Sequence, residues 1–192
     1  IGRYLTPEHV AERVLRATIR GIPDGQYAFE DWLDDDGFTD RKIGIRVRIT
    51  IDGDGAVVDF TGSDSQTTGG VNANFAITLS AALYAFRCLI EEDVLYNAGI
   101  GRAVRVIAPA GSIVNAVRPS AVAGGNVEAS QRITDVVLGA LAHALPLRVP
   151  ASRLNSWRST TGFGPRRRPD RAATFVFNDA DTTEIYTSVS RA

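Results

Sequence analysis

Methionine is absent from the 192 residues, cysteine and lysine occur once each, at Cys88 and Lys42, and histidine occurs only at His9 and His143. A single cysteine excludes an internal disulfide, suits a reducing cytoplasm, and in its apolar helical run reads as a buried structural thiol. Two isolated histidines give no metal-ligand spacing and no Ser/His/Asp arrangement. The lone lysine follows no glycine-rich turn, so a phosphate-binding P-loop is excluded. Charge of one sign is also missing: the net charge of −1 leaves no general electrostatic case for nucleic acid or an anionic membrane. Apolar runs are too short and too polar at their ends to span a bilayer. With Ile1 first and no signal-peptide pattern, the chain reads as an interior piece of a longer protein.

Hydrophobic residues make up 44%, enough for a core, and their spacing predicts the elements in turn. Thr6-Pro7-Glu8 predicts a helix start, with Val10, Val14, Ala17 and Thr18 inward and a turn at Pro23-Asp24-Gly25. Residues 26–33 read as a short strand. Asp34-Asp35-Asp36 lacks the alternation of a calcium loop and reads as a solvated acidic turn. Ile43, Ile45, Val47, Ile49 and Ile51 alternate with polar residues, and Asp52-Gly53-Asp54-Gly55 turns them into a hairpin ending at Phe60, whose arginine face meets solvent or a partner subunit.

Residues 61–70 form a polar loop, and residues 72–90, uncharged from Val71 to Phe86, a long helix buried on most sides. A strand over 103–108 and a buried, extended stretch over 113–123 complete the approach to the next helix. The fold class is α+β: a mixed, largely antiparallel sheet with a β-hairpin, covered by two long buried helices. Three stretches follow, a leading helix in 1–22, a core in 23–150, and a C-terminal part in 151–192 with a basic loop (162–169) and strands at 174–177 and 183–189.

The most informative segment is Ala123-Gly124-Gly125-Asn126-Val127-Glu128-Ala129-Ser130-Gln131-Arg132, which runs into a stripe of Ile133, Val136, Val137, Ala140, Leu141, Ala144 and Leu145. Two glycines allow a tight backbone, Asn126 can cap the helix, and Glu128 sits at the end favoured for a carboxylate. Asn126, Glu128, Ser130 and Gln131 thus gather where a core helix begins, as a binding site or as a capped start with a polar first turn. Asn72 and Asn74 form a second polar helix mouth, and packing of the two helices would merge both into one pocket.

Read together, Asp59-Phe60-Thr61-Gly62-Ser63, Gly69-Gly70-Val71-Asn72-Ala73, Ile107-Ala108-Pro109-Ala110-Gly111-Ser112 and Gly125-Asn126-Val127-Glu128-Ala129-Ser130-Gln131-Arg132 resemble the hydantoinase B/oxoprolinase family. The resemblance covers residues 23–150. It implies part of a hydantoinase B-type subunit in a cytoplasmic hetero-oligomer with a hydantoinase A-type, actin-like ATP-binding subunit, opening a cyclic amide or imide at the expense of ATP. In a related branch, the large subunits of acetone and acetophenone carboxylases, the reaction is ATP-dependent carboxylation of a ketone.

On this reading Glu128 is the catalytic candidate, and Asn126, Ser130, Gln131 and Asn72 are the substrate-binding candidates. The complex would need ATP and a divalent metal, held by a His/Asp cluster N-terminal to this chain, so the piece alone would bind no metal and show no activity. The alternative is a non-catalytic assembly domain.

Overall fold

The computed structural model describes residues 6–92 and 97–145. Helix α1 (Pro7–Arg20) starts as expected, with Thr6 at the N-cap and Pro7 at N1. Its inner face is Ala11, Leu15 and Ile19, with Val14 partly buried against the core and Thr18 half-buried, whereas Ala17 faces outward and Val10 is 42% exposed. Leucine and isoleucine at four-residue spacing remove more apolar surface from water than valine, alanine and threonine, and the helix turns accordingly.

Strand β1 (Gly25–Leu33) pairs antiparallel with β2 (Ile43–Asp52), which forms the expected hairpin with β3 (Gly55–Asp59). Strand β4 (Val104–Ile107) then adds parallel to β3, giving a four-stranded mixed sheet in the order β1-β2-β3-β4. The inner face carries Ile43, Ile45, Val47, Ile49 and Ile51, all buried. On the outer face Arg46 does not simply meet solvent: it pairs with Glu30 at 3.0 Å and Asp64 at 2.9 Å and donates to the carbonyl of Gly62.

Helix α2 (Phe75–Arg87) packs beside α3 (Ser130–Ala144), and α3 lies across β1 and β2. The buried stripe of α3 includes Ile133, Val136, Val137, Ala140 and Leu141 as the periodicity predicts. Helix α2 is less enclosed than its lack of charge implied. Thr78, Ala81, Ala82, Leu83, Ala85 and Phe86 are buried, while Phe75, Ala76, Ser80 and Tyr84 face outward. Cys88, the C-cap of α2, is exposed rather than buried. It follows Ser80 and Tyr84 at four-residue spacing and shares their outward side. Partial burial pushes its thiol up in pKa, with Tyr84 and Arg87 opposing, so the thiol stays protonated at neutral pH.

Asp36 is another correction, because only Asp34 and Asp35 of the acidic turn are solvated. Asp36 is 6% exposed and accepts from the amides of Phe38, Thr39 and Gly69 and the hydroxyl of Thr39. Burial opposes its ionisation, but these donors outweigh it and hold the carboxyl below its usual range. Residues 113–123 are buried only at Ile113 and Val114; Val117 and Val122 are exposed. The C-terminal basic loop and its two strands lie outside the described residues.

Candidate functional site

The helix start at residues 123–132 is built differently from a capped N-terminus. Gly125–Ala129 form a single π-helical turn, and α3 continues from it at Ser130, whose amide donates to the carbonyl of Gly125. No side chain caps either the turn or α3, so Asn126 is not a cap and its side chain projects at the surface. Such turns open one hydrogen-bond register of a helix and are frequent at functional sites.

What sets the turn is glycine against glycine. The amide of Gly124 donates to the carbonyl of Gly70 at 2.7 Å, and Gly125 lies directly on Asn72. Gly124 and Gly125 thus meet the 70–73 segment, distant in sequence, in one backbone contact, while Gly69 packs on Asp36. Asn72 completes it. It is fully buried, its Nδ2 donates to the carbonyls of Thr67, Gly69 and Ala121, and its Oδ1 accepts from the amide of Thr67 at 2.7 Å. With its amide committed in this way, Asn72 has nothing left to offer a ligand and is a positioning residue for both loops.

The expected merging of two polar helix mouths does occur, through Asn74 rather than Asn72. An open cleft of about 450 Å³ runs between α2 and α3, with Asn74, Ala76, Ile77, Ser80, Ala81 and Tyr84 on one wall and Asn126, Ser130, Gln131 and Thr134 on the other. Asn74 caps α2 by accepting from the amide of Ile77 at 3.1 Å. Ser130 donates to the carbonyl of Asn126 and Thr134 to that of Ser130, which aligns the hydroxyl wall of α3. Tyr84 is pushed up to about 12, by burial first and by Cys88 second, so its phenol stays neutral. None of the ten lining residues is charged, and three carry carboxamides, each able to donate and accept.

Glu128 is half-buried on the π-turn and is not among the residues lining the cleft. Three of the five predicted residues therefore meet in one place, Asn126, Ser130 and Gln131, while Asn72 stands behind them and Glu128 to the side. Sequence reasoning does not single out Ser80, Tyr84 and Thr134, which join the site. Their signal is the four-residue spacing of Ala76, Ser80 and Tyr84 on an otherwise apolar helix.

A second group also escapes the sequence. Arg132 reaches from α3 to Asp31 on β1 and stands 3.7 Å from Asp135, with side chains only 14%, 18% and 14% exposed. Burial, and then the neighbouring Asp31, push Asp135 up to about 6 against the pull of Arg132.

The hydantoinase B/oxoprolinase family model matches residues 8–183. The chain belongs to the hydantoinase B/oxoprolinase family. It is 41% identical over 142 residues to an uncharacterized protein of Methanocaldococcus jannaschii, covering 74% of this chain and 24% of that protein. It is 42% identical over 113 residues to 5-oxoprolinase 1 of Arabidopsis thaliana, covering 58% and 8%.

The putative B-type subunit of a D-/L-hydantoinase from a Pseudomonas species is 28% identical over 154 residues, covering 73% and 26%. Among solved structures, the ATP-dependent caprolactamase of Pseudomonas jessenii matches with a TM-score of 0.67 at 27% identity, over 73% of this chain and 24% of that one. An acetone carboxylase shares the fold, with a TM-score of 0.58 at 16% identity over 70% and 19%. The chain thus spans about a quarter or less of the length of these family members.

Among the described residues no three His, Cys, Asp or Glu side chains cluster in a way that could hold a metal. Of the glycines in the two loops, Gly70 stands against Gly124, Gly125 against Asn72 and Gly69 against Asp36, so their backbones face protein. No helix among the described residues is long and apolar enough to cross a membrane.

Proposed function

We propose that this chain is part of the hydantoinase B-type subunit of an ATP-dependent cyclic amide or imide hydrolase, and that the α2/α3 cleft holds the ring of the substrate. The observation that carries the proposal is the meeting of Asn74, Asn126 and Gln131 in one uncharged cleft. A cyclic amide presents C=O and N–H groups side by side, and a carboxamide answers both without a charge. Ring opening puts developing negative charge on the carbonyl oxygen, which the carboxamides of Asn126 and Gln131 would stabilise as donors, while the hydroxyls of Ser130 and Thr134, whose protons go to backbone carbonyls, are left to accept from a ring N–H.

Activation of that carbonyl would come from a hydantoinase A-type, ATP-binding partner, in a cytoplasmic hetero-oligomer, with metal and nucleotide held outside this chain. The piece alone would then turn nothing over. The three stretches, 1–22, 23–150 and 151–192, would act as one domain of the longer subunit. Glu128 is proposed as an acid or base only toward groups approaching the other side of the π-turn.

The test is ATP hydrolysis by the full-length subunit with its partner, measured with and without hydantoin, 5-oxoproline or caprolactam. The proposal expects ATP turnover that depends on one of these rings and on both subunits. Ring-independent ATPase activity, or ketone-dependent carboxylation in its place, would overturn it.

A second reading has its own support. Phe75 at 40% and Val127 at 46% exposure stand outward beside the cleft residues Asn74 and Asn126, as do Val117 at 46% and Phe38 at 75% elsewhere, and apolar side chains in such positions suit contact with the rest of a larger protein. On that reading the domain serves assembly. Substrate-dependent protection of Asn126 and Gln131 in the intact complex would decide against it.

A further inference from the structure

Arg132 lies directly after the cleft residues Ser130 and Gln131, yet it points to the opposite side of α3 and pairs there with Asp31 in the middle of β1. The pair joins residues separated by 101 positions and ties the start of α3 to the sheet by a charged contact. Both side chains are largely removed from solvent, where an ion pair holds geometry more than it adds stability, because desolvation offsets most of its attraction. Asp135, one turn further along α3, closes the group 3.7 Å from the same guanidinium nitrogen.

A planar guanidinium fixed between two carboxylates leaves α3 little freedom to rotate about its own axis. Rotation of α3 is the motion that would carry Asn126, Ser130 and Gln131 out of the cleft. We propose that Arg132, clamped by Asp31 and Asp135, is the positioning residue that sets the rotation of α3 and of the π-turn, and so the placement of Asn126, Ser130 and Gln131. The clamp itself stands on geometry alone; its functional importance rests on reading the cleft as a binding site.

The clamp has two settings. The charged groups bearing on Asp135 are Arg132 from α3 and Asp31 from β1, while the buried positions of β2 and α2 carry no ionisable side chain. With Asp135 ionised, Arg132 faces two competing carboxylates. With Asp135 protonated, that competition ends and the pairing with Asp31 is favoured. Burial places the change at about pH 6.

The experiment is a pH series of amide NMR spectra on the whole 192-residue chain, with Arg132→Met, Arg132→Lys and Asp135→Asn variants. The clamp predicts that the amides of Asn126, Ser130 and Gln131 shift between about pH 5 and 7.5 with one midpoint, and that Asp135→Asn removes the shift. Arg132→Met should displace the same signals at fixed pH while those of Ile49 and Val58 stay in place, and Arg132→Lys should bring them part of the way back.

Should Arg132→Met fail to fold, Asp135→Asn, close to isosteric, still decides. Signals of Asn126, Ser130 and Gln131 that stay in place in every folded variant, Arg132→Met, Arg132→Lys and Asp135→Asn alike, would overturn the clamp; signals that ignore pH in the parent chain, or titrate identically in Asp135→Asn, would overturn its two settings. A chain that titrates as described but whose signals do not respond to hydantoin or caprolactam supports the clamp and counts against the cleft as a substrate site.

Discussion

A Cβ on Gly125 would lie 2.0 Å from the carbonyl oxygen of Asn72. No side chain survives at that distance, so the contact between the π-turn and the 69–72 loop exists only because position 125 is glycine. Gly125→Ala should therefore force the two loops apart and cost about 3 kcal/mol, at the upper end for overpacking. Urea unfolding of the purified chain measures it. Gly53→Ala, a turn glycine with a left-handed φ of 58° and open space around it, is the comparison, expected to cost about 1 kcal/mol.

Asn72 gives a separable prediction. Asn72→Ala leaves the Thr67 amide and three carbonyls short of partners in a dry site, which costs about 3 kcal/mol. Asn72→Asp does no better, since a carboxylate would face the carbonyls of Thr67, Gly69 and Ala121. A residue that only touched substrate would show neither loss, so thermal unfolding of the two variants distinguishes the roles.

The pH dependence of stability has contributions of opposite sign. Asp36 and Asp64 have depressed values, for burial is outweighed at Asp36 by backbone donors and at Asp64 by the Gly44 amide and Arg46. Their contribution is present above the ordinary carboxylate range and is lost as pH falls through their folded values.

Asp135 is raised, so its protonated form belongs more to the folded state, and stability falls as pH rises from about 4 through about 6. By linkage the fall is up to about 3 kcal/mol, and Asp135→Asn should abolish it. Calorimetry at about pH 4.5 and about pH 7 is the check: the variant should gain on the parent protein at the higher pH and not at the lower.

How far the sequence discloses this molecule depends on the kind of pattern. The Ile43 to Ile51 alternation and the Ile133 to Leu141 stripe disclose the hairpin and α3, since each is long enough for one period to dominate. The face of α1 misleads because the two apolar sets lie on adjoining faces, roughly 100° apart at 3.6 residues per turn, and only packing chooses between them. Asn126 reads as a cap because the residue type suits one, while the π-turn that replaces the cap depends on a tertiary contact with Asn72.

Asp31 is a signal that can be read: it occupies the same alternating face of β1 as Tyr27, Phe29 and Leu33, where an unpaired acid would be costly, so it requires a cationic partner. Which arginine supplies that partner is a fact of the fold.

The central claim is that Asn126 binds and does not cap. Its most direct test pairs the affinity of the full-length protein for hydantoin, 5-oxoproline or caprolactam, whichever ring the parent protein binds, with its unfolding midpoint, for the parent protein and for Asn126→Ala. The account predicts a dissociation constant at least about tenfold weaker, the loss of a good hydrogen bond, with stability changed by no more than about 0.5 kcal/mol. Stability lower by about 1 kcal/mol with unchanged affinity, the signature of a lost cap, would contradict it.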